Sequence, residues 1–333
     1  MMVGRDVEFA VQKTPAQPKD VILDVENLSV ASKVSKKMAV NNVSFQVRAG
    51  EIVCIAGIDG NGQSELVFGI SGLENVAGGS VKLLNKDITN MPIRKRSLLG
   101  MSHIPEDRHK HGLVLDYTLE DNIVLQRYFE PEFTNKFGFL KRKNIRTFAE
   151  RLIEQYDVRS GQGPITISRA MSGGNQQKAI IAREIDKDPQ LLIAVQPTRG
   201  LDVGAIEYIH KQIVAQRDAG KAVLLVSLEL DEVMTVADRL FPLADTNDSP
   251  EAQEQVARIN RGLYQMLRIV SNMSDAYGYC TCSNSRQEPR DIPQLLQEIF
   301  EAVIPLAQAA GIQMEFSNTA GSIYSLADPE RLE

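Results

Sequence analysis

The sequence is poor in the features that define several protein classes. Only three cysteines occur in 333 residues, which excludes a small disulfide scaffold and favours a reducing compartment. The longest apolar runs, such as Ala222 to Val226, fall far short of the roughly 20 residues that a membrane-spanning helix needs. The opening MMVGRDVEFAVQK has no apolar core of the kind found in secretory signals. We therefore expect a cytoplasmic globular protein, with room for about two domains.

Lysine is absent from the last 93 residues, whereas the first 240 contain 16. Residues 1–240 contain 31 basic residues (Lys and Arg) and 30 acidic residues (Asp and Glu), whereas residues 241–333 contain 6 basic and 13 acidic residues. A shift this sharp predicts two differently built segments that meet near residue 240. Neither segment has the basic excess typical of nucleic-acid-binding proteins, so we expect no nucleic-acid partner.

Strands and helices alternate along the first segment. The period of a half-buried strand runs from Val21 to Val30 and again from Val40 to Val47, and continuous apolar runs predict buried strands in EIVCIAGI, LLIAV and KAVLLVS. Helical spacing follows Ser64, follows Gly174 and covers about 203–218. This order predicts an α/β core with parallel strands. A mostly helical, charged region is expected from about Leu119 to Tyr156.

Two glycine-rich segments stand before predicted helices. GIDGNGQS lies between a buried strand and a helix, and MSGGNQQK opens another helix. Glycines let a backbone approach phosphates closely, and the free amides and positive dipole end of a helix attract them. Strand-to-helix turns are also glycine-rich for steric reasons alone. Either segment by itself leaves both interpretations open.

Four motifs stand in a fixed order: GIDGNGQS, MSGGNQQK, LLIAVQPTRGLD and VSLELDEV. Together they resemble the nucleotide-binding cassette of ABC transporters, and most of all the second cassette of the two-cassette ATP-binding subunits of ribose-type simple sugar and nucleoside importers. Residues 1–20 resemble the linker between two cassettes, and residues 21–243 resemble a cassette without its last elements. The resemblance implies a P-loop NTPase-like ABC ATPase fold with a helical subdomain, and ATP and Mg²⁺ as cofactors.

The resemblance places a nucleotide-binding loop at Gly57, Asp59, Gly60, Asn61, Gly62, Gln63, Ser64 and Glu65. Gln63 stands where the family has a lysine, so a charged phosphate contact of about 1.5–3 kcal/mol falls toward about 1 kcal/mol. Val195 and Gln196 replace the aspartate that supports magnesium and the glutamate that polarises water, and Leu228 replaces the switch histidine. The contributions of a metal ion and of a general base to ATP hydrolysis are then lost. Ser64 is the remaining possible Mg²⁺ contact. We expect no catalytic residue in this site.

The signature-like segment is intact and comprises Ser172, Gly173, Gly174, Asn175 and Gln176. The resemblance implies that it faces the nucleotide of a second, hydrolytically competent cassette in a head-to-tail dimer, where most of the Mg²⁺ is bound. Asp202 resembles the interface loop between the two sites. Glu106 and Asp107 resemble the loop that senses magnesium and contacts the membrane subunit, although a PED turn is also common on protein surfaces.

The expected partners are therefore a competent cassette, integral membrane permease subunits and, indirectly, a solute-binding protein. The expected location is the inner face of the plasma membrane. No metal site of this chain's own is expected, because His103, His109 and His111 lack an acidic and cysteine framework and are interpreted as solvated loop residues. His210 is interpreted as a surface or packing residue, and Cys54 as a small buried hydrophobe.

Residues 244–333 depart from the cassette pattern. Helical spacing of apolar residues begins at Ile259, and the later part resembles the dimerisation helix and first elements of a histidine-kinase ATP-binding domain. No histidine follows His210, so kinase activity is not expected, and Cys280 and Cys282 are interpreted as incidental. A mostly helical α+β segment that packs as an amphipathic appendage is the simpler alternative. Two functions stay open: a non-hydrolysing cassette of an importer, or a fusion or signalling protein whose tail dimerises and whose cassette is passive.

Overall fold

The computed structural model describes residues 13–32, 38–56 and 62–243, together with two short strands at 288–291 and 324–327. The chain divides into two compact units, Met1–Thr246 and Asn247–Glu333. In the second unit, β10 (Glu288–Asp291) pairs antiparallel with β11 (Tyr324–Ala327). The helices, Cys280 and Cys282 predicted for residues 244–333 lie outside the described residues.

The described strands of the first unit are β1 (Val21–Ala31), β2 (Met38–Arg48), β3 (Ile52–Ala56), β4 (Gly78–Leu83), β5 (Lys86–Asp87), β6 (Met101–Ile104), β7 (Leu191–Val195), β8 (Ala222–Ser227) and β9 (Arg239–Pro242). Its described helices are α1 (Gln63–Ser71), α2 (Ile93–Leu98), α3 (Leu119–Val124), α4 (Arg142–Gln155), α5 (Gly173–Ile185), α6 (Val203–Asp218) and α7 (Leu230–Val236). A π-helical turn covers Arg108–Gly112. Among the described residues, no helix combines the length and apolarity required to cross a membrane.

Two sheets organise the first unit. A parallel sheet has the order β6-β7-β8-β3-β9, and an antiparallel sheet has the order β2-β1-β4-β5. The carboxyl ends of the parallel strands therefore meet at one edge, where loops from distant parts of the sequence come together. The predicted α/β class with parallel strands is confirmed.

The parallel strands are apolar throughout because both of their faces are buried. In β8, Val223 and Leu225 join a core formed with α3, α4, α5 and α6, whereas Leu224 and Val226 join a second core shared with α1 and the antiparallel sheet. Successive side chains of a strand point to opposite faces. A run without polar alternation is thus what a strand between two cores requires.

The helical region is shorter than the sequence predicts. We expected mostly helix from about Leu119 to Tyr156, but α3 ends at Val124 and α4 begins only at Arg142. The intervening turns bury Phe133 completely, and its ring lies 4.9 Å from that of Phe148. A buried aromatic residue two positions after Pro131 anchors a compact loop, since proline does not continue a helix.

Candidate functional site

The start of α1 forms one wall of the candidate nucleotide site. Of the eight predicted loop residues, Gly57, Asp59, Gly60 and Asn61 lie outside the described residues. Gly62 precedes α1 with a φ of 85°, and a Cβ atom there would lie only 2.2 Å from the carbonyl oxygen of Ala39. Only glycine fits this left-handed, crowded position. Glu65 lies in the first turn of α1, where the negative charge of a carboxylate interacts favourably with the positive end of the helix dipole.

Gln63 is buried, with 5% of its surface exposed. Its Nε2 atom has no hydrogen-bond partner among the described residues. A buried donor without an acceptor costs about 1–3 kcal/mol. An oxygen of a bound phosphate would satisfy this donor, so the residue fits a nucleotide, although it contributes no charge.

Glu106 joins three parts of the site. Ser64 Oγ donates to Glu106 Oε2 at 3.4 Å, and Gln196 Nε2 donates to Glu106 Oε1 at 3.0 Å. Arg199 Nη1 forms an ion pair with the same Oε1. The nucleotide loop, the end of β7 and the loop after β6 are therefore linked through a single carboxylate.

The positions at the end of β7 carry no ionisable group. Val195 is buried and offers no oxygen to a metal. Gln196 has a φ of 43° and its N–H donates to the carbonyl of Val226 at 2.7 Å. A left-handed backbone conformation costs a residue other than glycine on the order of 1–3 kcal/mol. Such strained residues occur most often at functional sites. Leu228 follows β8 directly and is half-buried.

The surroundings of Ser64 fit a magnesium ion poorly. The described residues contain no group of three or more His, Cys, Asp or Glu side chains placed to hold a metal ion. Among the described residues, the carboxylate that the Ser64 hydroxyl contacts is that of Glu106, which already accepts from Gln196 and Arg199. A full Mg²⁺ coordination sphere needs about six oxygen ligands, most of which would come from water and nucleotide.

The signature-like segment forms the N-terminus of α5. Ser172 is the exposed N-cap residue, and its Oγ accepts from Asn175 Nδ2 at 2.9 Å and from Asn175 N at 3.4 Å. Asn175 Oδ1 in turn accepts from the backbone N–H of Arg159 at 2.8 Å. The amides of Gly173 and Gly174 belong to the first turn, whose donors have no intrahelical acceptor. This end of α5 thus presents backbone donors of the kind that can bind an anion.

Asp202 lies beside the signature segment. Its Oδ1 accepts from Ala205 N at 3.0 Å and caps α6. A Cβ atom added to Gly174 would lie 3.5 Å from Asp202 Oδ2. The predicted interface residue and the predicted signature are therefore neighbours on one surface of the unit.

The π-helical turn Arg108–Gly112 packs along α5. His109 Nε2 lies 2.9 Å from Gln176 Oε1. The backbone of Gly112 passes so close to α5 that an added Cβ would meet Ile180 Cδ1 at 2.6 Å. Arg183 Nη1 also donates to the carbonyl of Gly112 at 2.9 Å. The loop after β6 is therefore packed closely against the signature helix.

Asp107 and Glu106 have different structural roles. The Asp107 side chain caps the π-helical turn by accepting from Lys110 N at 3.0 Å and His109 N at 2.9 Å. These backbone donors, that of Lys110 first, hold the pKa of Asp107 below its ordinary value. Glu106, and not Asp107, faces the nucleotide loop.

Comparison with known proteins identifies the segment that carries this geometry. Residues 40–199 match the family model described as ABC transporter. This part of the chain is an ABC transporter ATP-binding cassette. The family resemblance and the fold class predicted from the four motifs are thereby confirmed.

The cassette has curated relatives of high identity. It is 54% identical over 245 residues to the nucleoside import ATP-binding protein NupA of Lactococcus lactis subsp. cremoris, which covers 74% of this chain and 48% of that protein. It is 50% identical to the guanosine import ATP-binding protein NupO of Bacillus subtilis, over 72% and 46% of the two chains. The ribose import ATP-binding protein RbsA of Rhodococcus jostii is 35% identical, over 73% and 46%. The chain thus spans about half the length of the curated relatives it matches.

Solved structures share the fold of the cassette. A nucleotide-free ATP-binding cassette from an ABC transporter aligns with a TM-score of 0.57 at 21% identity, over 68% of this chain and 89% of that one. A cassette in its ADP conformation aligns with a TM-score of 0.57 at 20% identity, over 72% and 95%. At this identity the likeness concerns the fold.

Two arginines of the cassette site were not found by sequence reasoning. Arg199 binds Glu106, and Arg108 Nη1 donates to the carbonyl of Arg199 at 3.2 Å. A signal was available in their positions, because Arg108 directly follows Glu106 and Asp107, and Arg199 lies within the motif LLIAVQPTRGLD. The residues that the structure brings together are Ser64, Glu106 and Gln196 on one side of these arginines, and Gly173, Gly174 and Asp202 on the other.

The histidines of the cassette correct one expectation. His103 is not a solvated loop residue, because it lies in β6 opposite Ile193 of β7. Burial lowers its pKa to about 4. His210 is buried in α6, with Nε2 at 3.2 Å from Glu232 Oε1, so its packing role is the one observed. Cys54 is fully buried in β3, and burial raises the pKa of its thiol.

Proposed function

We propose that this cassette is the second, non-hydrolysing cassette of the ATP-binding subunit of an importer for nucleosides or simple sugars. It completes the ATP site of a competent partner cassette with its own signature segment. The names of the relatives at 54% and 50% identity, nucleoside import and guanosine import ATP-binding proteins, support the substrate class. A match to just under half of each relative agrees with one cassette out of two.

The observation that carries the proposal is a contrast between two parts of the cassette, its own nucleotide loop and the start of α5. At its own nucleotide loop, Gln63, Val195 and Gln196 provide neither the cation nor the base that hydrolysis requires. At the start of α5, Ser172 is exposed and held in place by Asn175. An intact anion site at the start of α5, combined with a nucleotide loop that lacks catalytic groups, fits a cassette that serves its partner's nucleotide.

Binding of ATP to the cassette's own loop rests on the Gln63 amide, the Ser64 hydroxyl and the loop amides. Bound ATP supplies phosphate oxygens as acceptors for these donors. Magnesium is held mainly at the partner's site, because among the described residues the Ser64 hydroxyl and the Glu106 carboxylate already bind each other, and Glu106 also accepts from Gln196. Such a loop binds nucleotide weakly and holds it without turnover.

Coupling to membrane permease subunits is proposed at the cleft beside Pro105. This cleft has a volume of about 680 Å³ and includes Pro105, His111 and Arg94 in its wall. Ile93 and Leu98 expose 50% and 64% of their surface at its rim. Because the turn after Glu106 is packed on α5, a displacement at this cleft would reach the signature segment.

The test begins with the full chain alone, which should show no Mg²⁺-dependent ATPase activity above background. Substantial turnover that S64A abolishes would disprove the non-hydrolysing role. The chain is then combined with a cassette of the same transport system that has an intact P-loop lysine and catalytic glutamate. ATP turnover of the complex should fall at least tenfold with S172R, while S44R, at an exposed position of β2, leaves it unchanged.

The alternative of a signalling or fusion protein is not proposed. Its support comes from residues 244–333, where the structure describes only β10 and β11. No contact of the described residues favours it over a role in transport.

A further inference from the structure

Arg108 lies against the signature segment, and its role is not covered by the motifs. We propose that Arg108 is a phosphate-contacting residue of the composite ATP site, directed at the terminal phosphate of the nucleotide held by the partner cassette. The inference rests on the proposed function, since it requires that the start of α5 receives a partner's nucleotide.

The guanidinium group is placed by contacts on two sides. A Cβ atom added to Gly173 would lie 3.1 Å from Arg108 Nη2 and 3.5 Å from its Cζ. On the other side, Nη1 donates to the carbonyl of Arg199 at 3.2 Å. The planar group therefore lies beside the first turn of α5, and the absence of a side chain at Gly173 leaves room for it.

The hydrogen-bonding capacity of Arg108 is only partly used. Its Nε atom is buried and has no hydrogen-bond partner among the residues that the structure describes. In the described part of the chain, no carboxylate lies within ion-pair distance of its guanidinium group, as it does for Arg142, Arg146 and Arg199. An arginine that keeps unused donors beside a surface site is suited to a second acceptor.

The neighbouring carboxylates are engaged elsewhere. Glu106 binds Arg199, Asp107 caps the π-helical turn, and Asp202 caps α6. The positive charge of Arg108 is thus left for an anion that enters at Ser172. Orphan amides at the start of α5 and a guanidinium group beside them present donors to the same phosphate.

A purely structural role makes a different prediction. If Arg108 only supports the loop through the carbonyl of Arg199, its loss should affect ATP and ADP equally. Direct contact with the terminal phosphate instead discriminates ATP from ADP. It also gives an affinity that depends on ionic strength, because a charge-assisted hydrogen bond is involved.

The experiment uses the full chain in complex with a competent cassette whose catalytic glutamate is replaced by glutamine, so that ATP binds without turnover. Dissociation constants of ATP and ADP are measured for wild type, R108A, R108K and the control R142A, which removes an exposed arginine at the start of α4. We expect R108A to weaken ATP binding about tenfold and ADP binding less than twofold. R108K should recover part of the loss, and R142A should match wild type.

Two further measurements keep the outcome decisive. G173A crowds the guanidinium group and should weaken ATP binding without any loss of charge, and R108A should flatten the dependence of ATP affinity on NaCl concentration. Equal effects of R108A on ATP and ADP, or none, would overturn the role of Arg108. If instead the complex with S172R binds ATP as tightly as the wild-type complex, the proposed function itself fails.

Discussion

Gln196 donates a hydrogen bond from Nε2 to Glu106 Oε1 across the candidate nucleotide site, at 3.0 Å. The position that carries a catalytic glutamate in the resembling family is thus occupied by a donor whose partner is a carboxylate. Two carboxylates at this separation would repel each other. An amide at position 196 instead donates a hydrogen bond to the carboxylate at position 106.

Restoring a carboxylate at position 196 should therefore destabilise the fold. Q196E removes one hydrogen bond and adds charge repulsion, so we expect a loss of about 1–3 kcal/mol in the free energy of unfolding at pH 7. Urea denaturation measures it, and the loss should shrink near pH 4 as one carboxyl group becomes protonated. The exchanged pair E106Q/Q196E restores one donor and one acceptor and should recover most of the stability. Unchanged stability of Q196E at pH 7 would contradict the pairing.

A lysine at position 63 should strengthen nucleotide binding. Q63K adds a cation where a buried Nε2 lacks an acceptor among the described residues, so we expect about tenfold tighter binding of ATP. Fluorescence titration of the full chain measures the affinity, and Q162K, which adds a charge at an exposed turn, is the matched control. Hydrolysis should stay at background, because Val195 and Gln196 are unchanged. Equal gains for Q63K and Q162K would show a general charge effect.

Asp202 should stabilise α6 as its N-cap. D202A removes the acceptor for Ala205 N, and the expected loss is about 1 kcal/mol in the free energy of unfolding. D202N keeps a side-chain oxygen and should lose less. Chemical denaturation of the three proteins gives the values. A loss for D202N as large as that for D202A would indicate that the charge, rather than the cap, is what stabilises the helix.

His103 should make stability fall on mild acidification. Burial lowers its pKa from 6.5 to about 4, so below pH 6.5 the unfolded chain binds a proton that the folded chain does not. Stability from this residue is complete above pH 6.5 and is lost as the pH falls toward 4, by at most about 1.4 kcal/mol per pH unit. Urea denaturation of wild type and H103Q between pH 7 and pH 4 tests this. We expect a shallower decline in H103Q, and a decline as steep as that of wild type would refute the assignment.

Elements whose pattern is regular could be predicted closely from the sequence. The helix expected over 203–218 is α6 (Val203–Asp218), and LLIAV is β7 (Leu191–Val195). Phe133 shows the limit, because its burial depends on Phe148 of another element, and nothing in the local spacing between α3 and α4 indicates that contact. The predicted helical region was too long for this reason.

The site shows the same division. Ser64, Gln196 and Glu106 were each assigned from motifs, yet their meeting at one carboxylate could not be, since Glu106 and Gln196 are 90 positions apart. That contact results from the parallel order of β6 and β7, which brings the two following loops to the same edge of the sheet. The conformations of those loops decide where Arg108 and Arg199 point, and loop conformation has no periodic signal in sequence.

Arg199 contacts two parts of the cassette with different atoms. Its side chain binds Glu106, beside the nucleotide loop, and its backbone carbonyl accepts from Arg108, beside the start of α5. Every amino acid has a carbonyl group, so a point mutation at this position severs the first link and spares the second. A side-chain change at position 199 can therefore alter the contact with Glu106 while the backbone acceptor of Arg108, beside the start of α5, is kept.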